Sequence, residues 1–222
     1  MAIGFRILPI TGRVSPAIVE AFRALPVANV SDSMSRITAG GARLRPFYSG
    51  PTMSGPAFTV KTRPGDNLMV HKALDIALPG DIVVVDAGGD LTNAIIGELM
   101  QAHARTRKLG GIVINGAIRD VTALRASSFP VFAAGVTHRG PYKDGPGEIG
   151  VPIAIDGMVI APGDLMLGDE DGILCVPAAE VEAVLKATEA KHAAEEKQMA
   201  ATLAGTSDRA WVDVTLKKFG VI

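Results

Sequence analysis

The sequence has a single cysteine, Cys175, in 222 residues. That excludes a disulfide framework and any cysteine-based zinc site. Neither sign of charge is in excess, because 22 Lys and Arg stand against 23 Asp and Glu, a formal net charge of −1. Phosphate backbones are held by a surplus of Lys and Arg, so nucleic acid is not expected as a partner. No stretch approaches the roughly 20 apolar residues that span a bilayer, and no membrane partner is expected. Residues 1–6 lack the basic start and apolar core of a secretory signal, which leaves a cytoplasmic location as the expectation. Internal repeats and low-complexity linkers are missing, so the chain reads as one domain over 1–222.

Familiar catalytic patterns are also scarce. The histidines His71, His103, His138 and His192 form no close pair of the kind that ligates zinc. There is no G-x-S-x-G elbow and no P-loop. Cys175 sits in the apolar run 173–176 and reads as core rather than nucleophile. Lys61 is the only lysine flanked by enough apolar sequence to suggest a Schiff base, and its expected environment is solvent.

What is present is material for a packed domain: 48% hydrophobic residues, with 25 Gly and 14 Pro spread along the chain as turn punctuation. Strands are predicted at 57–62, 81–86, 111–115, 131–133, 153–155, 158–160 and 173–176. The runs 81–86 and 111–115 are continuously apolar, as in strands buried on both faces. Asp156-Gly157 between two short apolar runs is a hairpin signal. Helices are predicted at 16–25, 67–77, 92–108, 120–126 and 178–203. Strands alternating with helices, plus one antiparallel hairpin, give an α/β layered domain. The Gly/Pro-rich stretch 140–150 reads either as a surface connection or as a functional loop.

Two strand ends carry the chemistry. After the apolar run ending at Asp86, a glycine pair breaks the chain and a helix follows. Gly97, inside that apparent helix, costs about 1 kcal/mol relative to Ala. It either marks close approach of a ligand or breaks the helix to expose the N–H groups of Leu99 and Met100, which can hold a carboxylate or phosphate. After the run 111–115, Gly116 is read as a turn, and Arg119-Asp120 precede a short helix. Arg119 can clamp a carboxylate through its planar fork, or pair with a surface acid. Asp120 can ligate a hard cation, or only cap the helix 121–126.

The sequence resembles the RraA-like family. The residues that carry the likeness are Pro64-Gly65-Asp66-Asn67, Asp81–Gly89, Gly97-Glu98-Leu99-Met100, Gly111–Asp120 and Asp171-Gly172-Ile173. The hallmark is an acidic residue, twenty intervening positions and then Arg-Asp; Glu98, Arg119 and Asp120 stand at that spacing (119 − 98 − 1 = 20). The likeness covers a core of about 15–205. It implies a swivelling β/β/α-type domain, with a C-terminal helix and tail at about 178–222 that contacts the body or a neighbouring subunit, in a homotrimer or homohexamer.

The resemblance also implies an activity and roles. Family members include class II pyruvate aldolases acting on 4-hydroxy-4-methyl-2-oxoglutarate and 4-carboxy-4-hydroxy-2-oxoadipate, and the implied partner is a small 2-oxo acid. The implied cofactor is Mg²⁺ or Mn²⁺. Asp120 would ligate it directly and Glu98 would hold metal-bound water. Arg119 would contact the keto or enolate oxygen or the carboxylate. Gly97, Leu99 and Met100 would present the backbone that binds the pyruvyl carboxylate, and Asn67 matches a pocket position. Glu195 or Glu196 of a neighbouring subunit would complete the outer metal shell. Decarboxylation of oxaloacetate passes through the same enolate and is the expected side activity. Glutamate at 98, where other members carry aspartate, alters reach and so bears on substrate preference. Loop 140–150 and the segment around Asn93 are expected to set the accepted side chain. The alternatives are a non-catalytic regulator of ribonuclease activity and a lyase for another hydroxy or sugar acid. A methyltransferase, an older label for some members, is set aside.

Overall fold

In a computed structural model, residues 2–38 and 40–222 are described; Met1 and Ala39, which the single-domain expectation spans, lie outside them. Helices α1 (Pro16–Arg23) and α2 (Val27–Ser33) precede strands β1 (Arg45–Pro46) and β2 (Met53–Thr62). Helix α3 (Leu68–Ile76), strands β3 (Ile82–Asp86) and β4 (Ala94–Ile96), helix α4 (Glu98–Thr106), strand β5 (Gly111–Ile118), helix α5 (Val121–Arg125) and strand β6 (Val131–Val136) form an alternating middle. Strands β7 (Gly147–Ile149), β8 (Ile153–Ile155), β9 (Met158–Ile160), β10 (Leu165–Asp169) and β11 (Gly172–Val176) follow, then helices α6 (Val181–Leu203) and α7 (Ala210–Lys218).

The main sheet runs β1-β6-β5-β3-β2-β10-β11, with β4 added beside β5 and β7 beside β2. Strands β2, β3, β5 and β6 are parallel neighbours, while β10 and β11 run antiparallel. The ends of the sheet approach one another, and Arg45 of β1 donates 2.9 Å to the Asp171 carbonyl in the turn before β11. The sheet is therefore nearly closed, in a mixed α/β fold.

Side-chain alternation divides the apolar residues among three cores. Val83, Val85, Ile112 and Ile114 face α3, α4 and α5, where Val70, Leu74, Ala104 and Leu124 cover them. Ile82, Val84 and Val113 point the other way, to Phe132, Met166, Cys175 and the β8–β9 hairpin. Leu165, Leu167, Leu174 and Val176 carry α1, α2 and the start of α6. The parallel strands are covered on both faces, which is why they read as unbroken apolar runs.

Several expectations are corrected. The helix predicted over 92–108 is two elements: Ala94–Ile96 is a strand paired with the far end of β5, and the helix begins at Glu98. Three consecutive buried apolar residues suit a strand in a crowded sheet, and Gly97 is the joint between the two. Gly116 does not turn the chain, because β5 continues through it to Ile118, with a register shift against β6 between Ile114 and Ala117. Helices α1, α3, α5 and α6 start or stop one to three residues inside their predicted bounds. Strand β2 starts at Met53 rather than 57, and α2, β1, β7, β10 and α7 are additional.

The hairpin expectation holds, with Asp156 and Gly157 both at positive φ between β8 and β9. Cys175 is buried. Residues 145–150 have the letters G-x-G-x-x-G, but they fall on β7 and lead to β8, with no helix opening after them. A dinucleotide loop needs that helix. No helix among the described residues is long and apolar enough to cross a membrane.

Candidate functional site

The site grows from the point where β4 and β5 end together. The Arg119 N–H donates to the Ile96 carbonyl at 3.0 Å, so Gly97 and Arg119-Asp120 leave the sheet side by side. Asp120 sits in the left-handed region at φ 59°. This costs a non-glycine residue roughly 1–2 kcal/mol, least for Asp and Asn. The conformation aims its carboxylate back at α4: Asp120 Oδ2 accepts the Glu98 N–H at 3.0 Å. Asp120 therefore caps α4 with its side chain, while at the head of its own helix it contributes no side-chain cap. The cost is offset by a charged acceptor at a helix N-terminus.

Gly97 makes this approach sterically open. A Cβ on Gly97 would fall inside the van der Waals surface of Asp120 Oδ2 and 3.1 Å from Arg119 Cγ. Its φ of −144° is open to any residue, so close approach rather than backbone conformation calls for glycine here. Gln101 is the first residue of α4 to bond back, to the Gly97 carbonyl at 3.1 Å. The N–H groups of Leu99 and Met100 therefore remain available, as in any first helical turn.

These groups line one cavity of about 420 Å³, together with Asn67, His71, Pro141 and Lys143. Glu98, Leu99, Arg119 and Asp120 are exposed at it, whereas Asn67 and Met100 are buried. The Arg119 Nε stands 3.8 Å from Asp120 Oδ2, and its Nη1 lies against Gly140. Asn67 Nδ2 donates to the Ile95 carbonyl at 2.8 Å and contacts Met100 Sδ at 3.4 Å, tying α3 to β4 and α4. Its Oδ1 is buried with no partner among the described residues. Burial, then the nearby Lys143 cation, holds His71 below the usual histidine range.

The structure thus brings every residue singled out in the sequence as catalytic or substrate-binding around one cavity. His71 and Lys143 were not singled out. His71 had a usable signal, since it lies four residues after Asn67 on one face of α3. Lys143 had none beyond its place in the Gly/Pro-rich loop. Glu195 and Glu196 lie away from the cavity in their own chain. Glu195 accepts from Asn29 Nδ2 at 2.8 Å and pairs with Lys191 at 2.8 Å, while Glu196 stands 3.7 Å from His192.

Among the described residues no group of three or more His, Cys, Asp or Glu side chains is arranged to hold a metal. The possible donor side chains lining the cavity include the carboxylates of Asp120 and Glu98 and the imidazole of His71. Asp120 Oδ2 is engaged by the Glu98 N–H, and Oδ1 accepts no hydrogen bond among the described residues. Two carboxylates at an open cavity suit a hard ion such as Mg²⁺, which keeps several waters. Zinc is held chiefly through His and Cys, and His71 is the one such residue lining the cavity.

The RraA-like family model, described as Aldolase/RraA, matches residues 27–175. The chain belongs to the RraA-like family. A Halalkalibacterium halodurans relative, provisionally named a 4-hydroxy-4-methyl-2-oxoglutarate aldolase, is 40% identical over 178 residues, covering 80% of this chain and 85% of that one. The structure of the RNA-processing inhibitor RraA from Thermus thermophilus superposes with a TM-score of 0.63 at 30% identity, over 68% of this chain and 92% of that one. A protein from Pseudomonas syringae superposes with a TM-score of 0.79 at 25% identity, over 88% and 96%. The matched segment of this RraA-like chain contains the whole α4–β5 site, and α6 and α7 lie beyond it.

Proposed function

We propose that this RraA-like protein is a divalent-metal-dependent carbon–carbon lyase. It cleaves 4-hydroxy-2-oxo acids such as 4-hydroxy-4-methyl-2-oxoglutarate or 4-carboxy-4-hydroxy-2-oxoadipate to pyruvate, and decarboxylates oxaloacetate as a side activity. The observation that carries this reading is the convergence of Arg119, the Asp120 carboxylate and the free Leu99 and Met100 N–H groups on one cavity. The 40%-identical aldolase-named relative supports it.

The substrate carboxylate binds the first turn of α4, where backbone N–H groups and the helix dipole favour an anion. Arg119 donates to the 2-oxo oxygen and stabilises the negative charge that develops there. A water held by Glu98 takes the proton of the C4 hydroxyl. The C4–O bond becomes a carbonyl, the C3–C4 electron pair moves into the C2–C3 enolate, and a proton returned to C3 gives pyruvate. Asp120, with Glu98 through water, would hold Mg²⁺ or Mn²⁺, which supplies positive charge beside the 2-oxo group.

The test is pyruvate release from 4-hydroxy-4-methyl-2-oxoglutarate and from oxaloacetate, with Mg²⁺ and with EDTA. Uncatalysed metal-driven decarboxylation is subtracted, and Asp120→Ala is run alongside. Metal-dependent release that Asp120→Ala loses upholds the reading. No release above the blank from either compound overturns it, in favour of a lyase for another hydroxy acid or a binding role.

A further inference from the structure

The wall of the cavity opposite in sequence to the α4–β5 corner is the loop 139–145, and it is fastened throughout. The Ala94 N–H donates to the Arg139 carbonyl at 2.8 Å, and Asn93 Nδ2 donates to the Gly140 carbonyl. Tyr142 exchanges bonds with Gly65 and Asn67, at 2.8 and 3.0 Å. The deepest fastening is Asp66, whose side chain is fully buried. Its Oδ2 accepts the N–H groups of Asp144 and Gly145, both at 2.8 Å, and Arg63 Nη2 at 3.1 Å. Its Oδ1 accepts the Leu68 N–H at 2.9 Å, at the first residue of α3.

A buried carboxylate is costly unless every lone pair is engaged. Here three of its four donors are backbone N–H groups, from two segments that are also joined by the Tyr142 bonds to Gly65 and Asn67 and by the Arg63 N–H to the Pro146 carbonyl at 3.0 Å. One of these segments opens the helix that carries His71 and follows Asn67. The other follows Pro141 and Lys143. The carboxylate touches none of the cavity, so it acts only through what it holds.

We propose that Asp66 is a positioning residue that clamps loop 139–145 to the N-terminus of α3 and sets where Lys143 and Pro141 meet the part of the substrate beyond its pyruvyl end. What is bound there rests on the lyase reading; the clamp itself does not. Asp66→Asn is nearly isosteric but puts an NH2 against N–H donors on one side. Arg63→Ala removes the half-exposed cation and leaves the three backbone donors in place.

Two measurements on the full chain test this. Amide hydrogen exchange at Asp144 and Gly145 is expected to rise about 100-fold in Asp66→Asn, with Ile82–Asp86 of β3 as protected as before. Pyruvate release from 4-hydroxy-4-methyl-2-oxoglutarate is expected to show KM raised about ten-fold and kcat changed by less than about three-fold, since ground-state placement is what is lost. Arg63→Ala, which loses one donor to Asp66 and the contact over the Tyr142 ring but keeps the three backbone donors, is expected to fall between wild type and Asp66→Asn in both. Wild-type exchange at Asp144 and Gly145 in Asp66→Asn overturns the clamp. So does a fall in kcat at constant KM, the signature of fewer folded molecules. If Asp66→Asn does not fold, the wild-type chain is read instead: Asp144 and Gly145 amides as protected as those of Ile82–Asp86 support the clamp, and amides that exchange at unprotected rates overturn it. If the wild-type chain itself releases no pyruvate, the lyase reading fails, and the exchange data alone uphold or overturn the clamp.

Discussion

Replacing Gly97 by alanine tests the corner where β4, α4 and Asp120 meet. The added Cβ overlaps Asp120 Oδ2 and crowds Arg119 Cγ at 3.1 Å, so the carboxylate must swing away and release the Glu98 N–H that it accepts at 3.0 Å. Losing a charged acceptor at this half-exposed position costs about 1 kcal/mol, and the helix-dipole contribution adds about 0.5 kcal/mol. Local overpacking adds about 1 kcal/mol. Because φ at Gly97 is −144°, alanine adopts the native backbone freely, and the smaller entropy of the unfolded chain returns about 0.5–1 kcal/mol. The net loss is about 1.5–2 kcal/mol, which lowers Tm by roughly 3–8 °C in a chain of this size. Turnover responds far more, because moving a catalytic group by about 1 Å costs on the order of 100-fold. Thermal melting and pyruvate release are measured beside Gly157→Ala. Gly157 sits at φ 85° with nothing within 4 Å of an added Cβ, so that variant loses stability through backbone strain alone and keeps its turnover. A folded Gly97→Ala with wild-type turnover would refute the placement of Asp120 at the reacting centre.

Other outcomes follow from particular contacts. Arg119→Lys keeps the charge but loses the planar fork, so kcat is expected to fall about 100-fold or more in steady-state kinetics; a wild-type rate rejects its enolate role. The Arg6 guanidinium and the Gly4 N–H hold Glu148 well below the usual carboxylate range, at about 2 against 4.5. A depressed carboxylate stabilises the fold fully above its unfolded value and loses that contribution as pH falls from about 4.5 through about 2. Melting curves of Glu148→Gln are therefore expected to lose part of the pH dependence in that window while retaining it above. Burial, with the Asp164 carboxylate beside it, pushes the Cys175 thiol up, so iodoacetamide at pH 8 should label the protein only after denaturation. Mass spectrometry of the native and denatured protein reads this directly.

The sequence alone determined the parts of this protein that repeat a local rule. Unbroken apolar runs marked β3 and the first half of β5, because strands covered on both faces have no solvent side to record. Asp156-Gly157 marked its hairpin, because two positive φ angles are needed there whatever surrounds them. The spacing of Glu98, Arg119 and Asp120 marked the corner only through the resemblance to the RraA-like family, since the sequence pattern placed Glu98 inside a helix over 92–108. Tertiary structure decided the rest. Ala94–Ile96 has no strand-like alternation and joins the sheet only because the end of β5 offers it a partner. Asp120 looked like the cap of its own helix, yet its left-handed backbone turns the carboxylate to α4, a bond spanning 22 residues that no local propensity encodes. Asp66 meets the Asp144 and Gly145 N–H groups, and His71 and Lys143 line one cavity, because a distant loop folds back over α3, and a pattern of short-range preferences carries no record of which distant segment will close a wall.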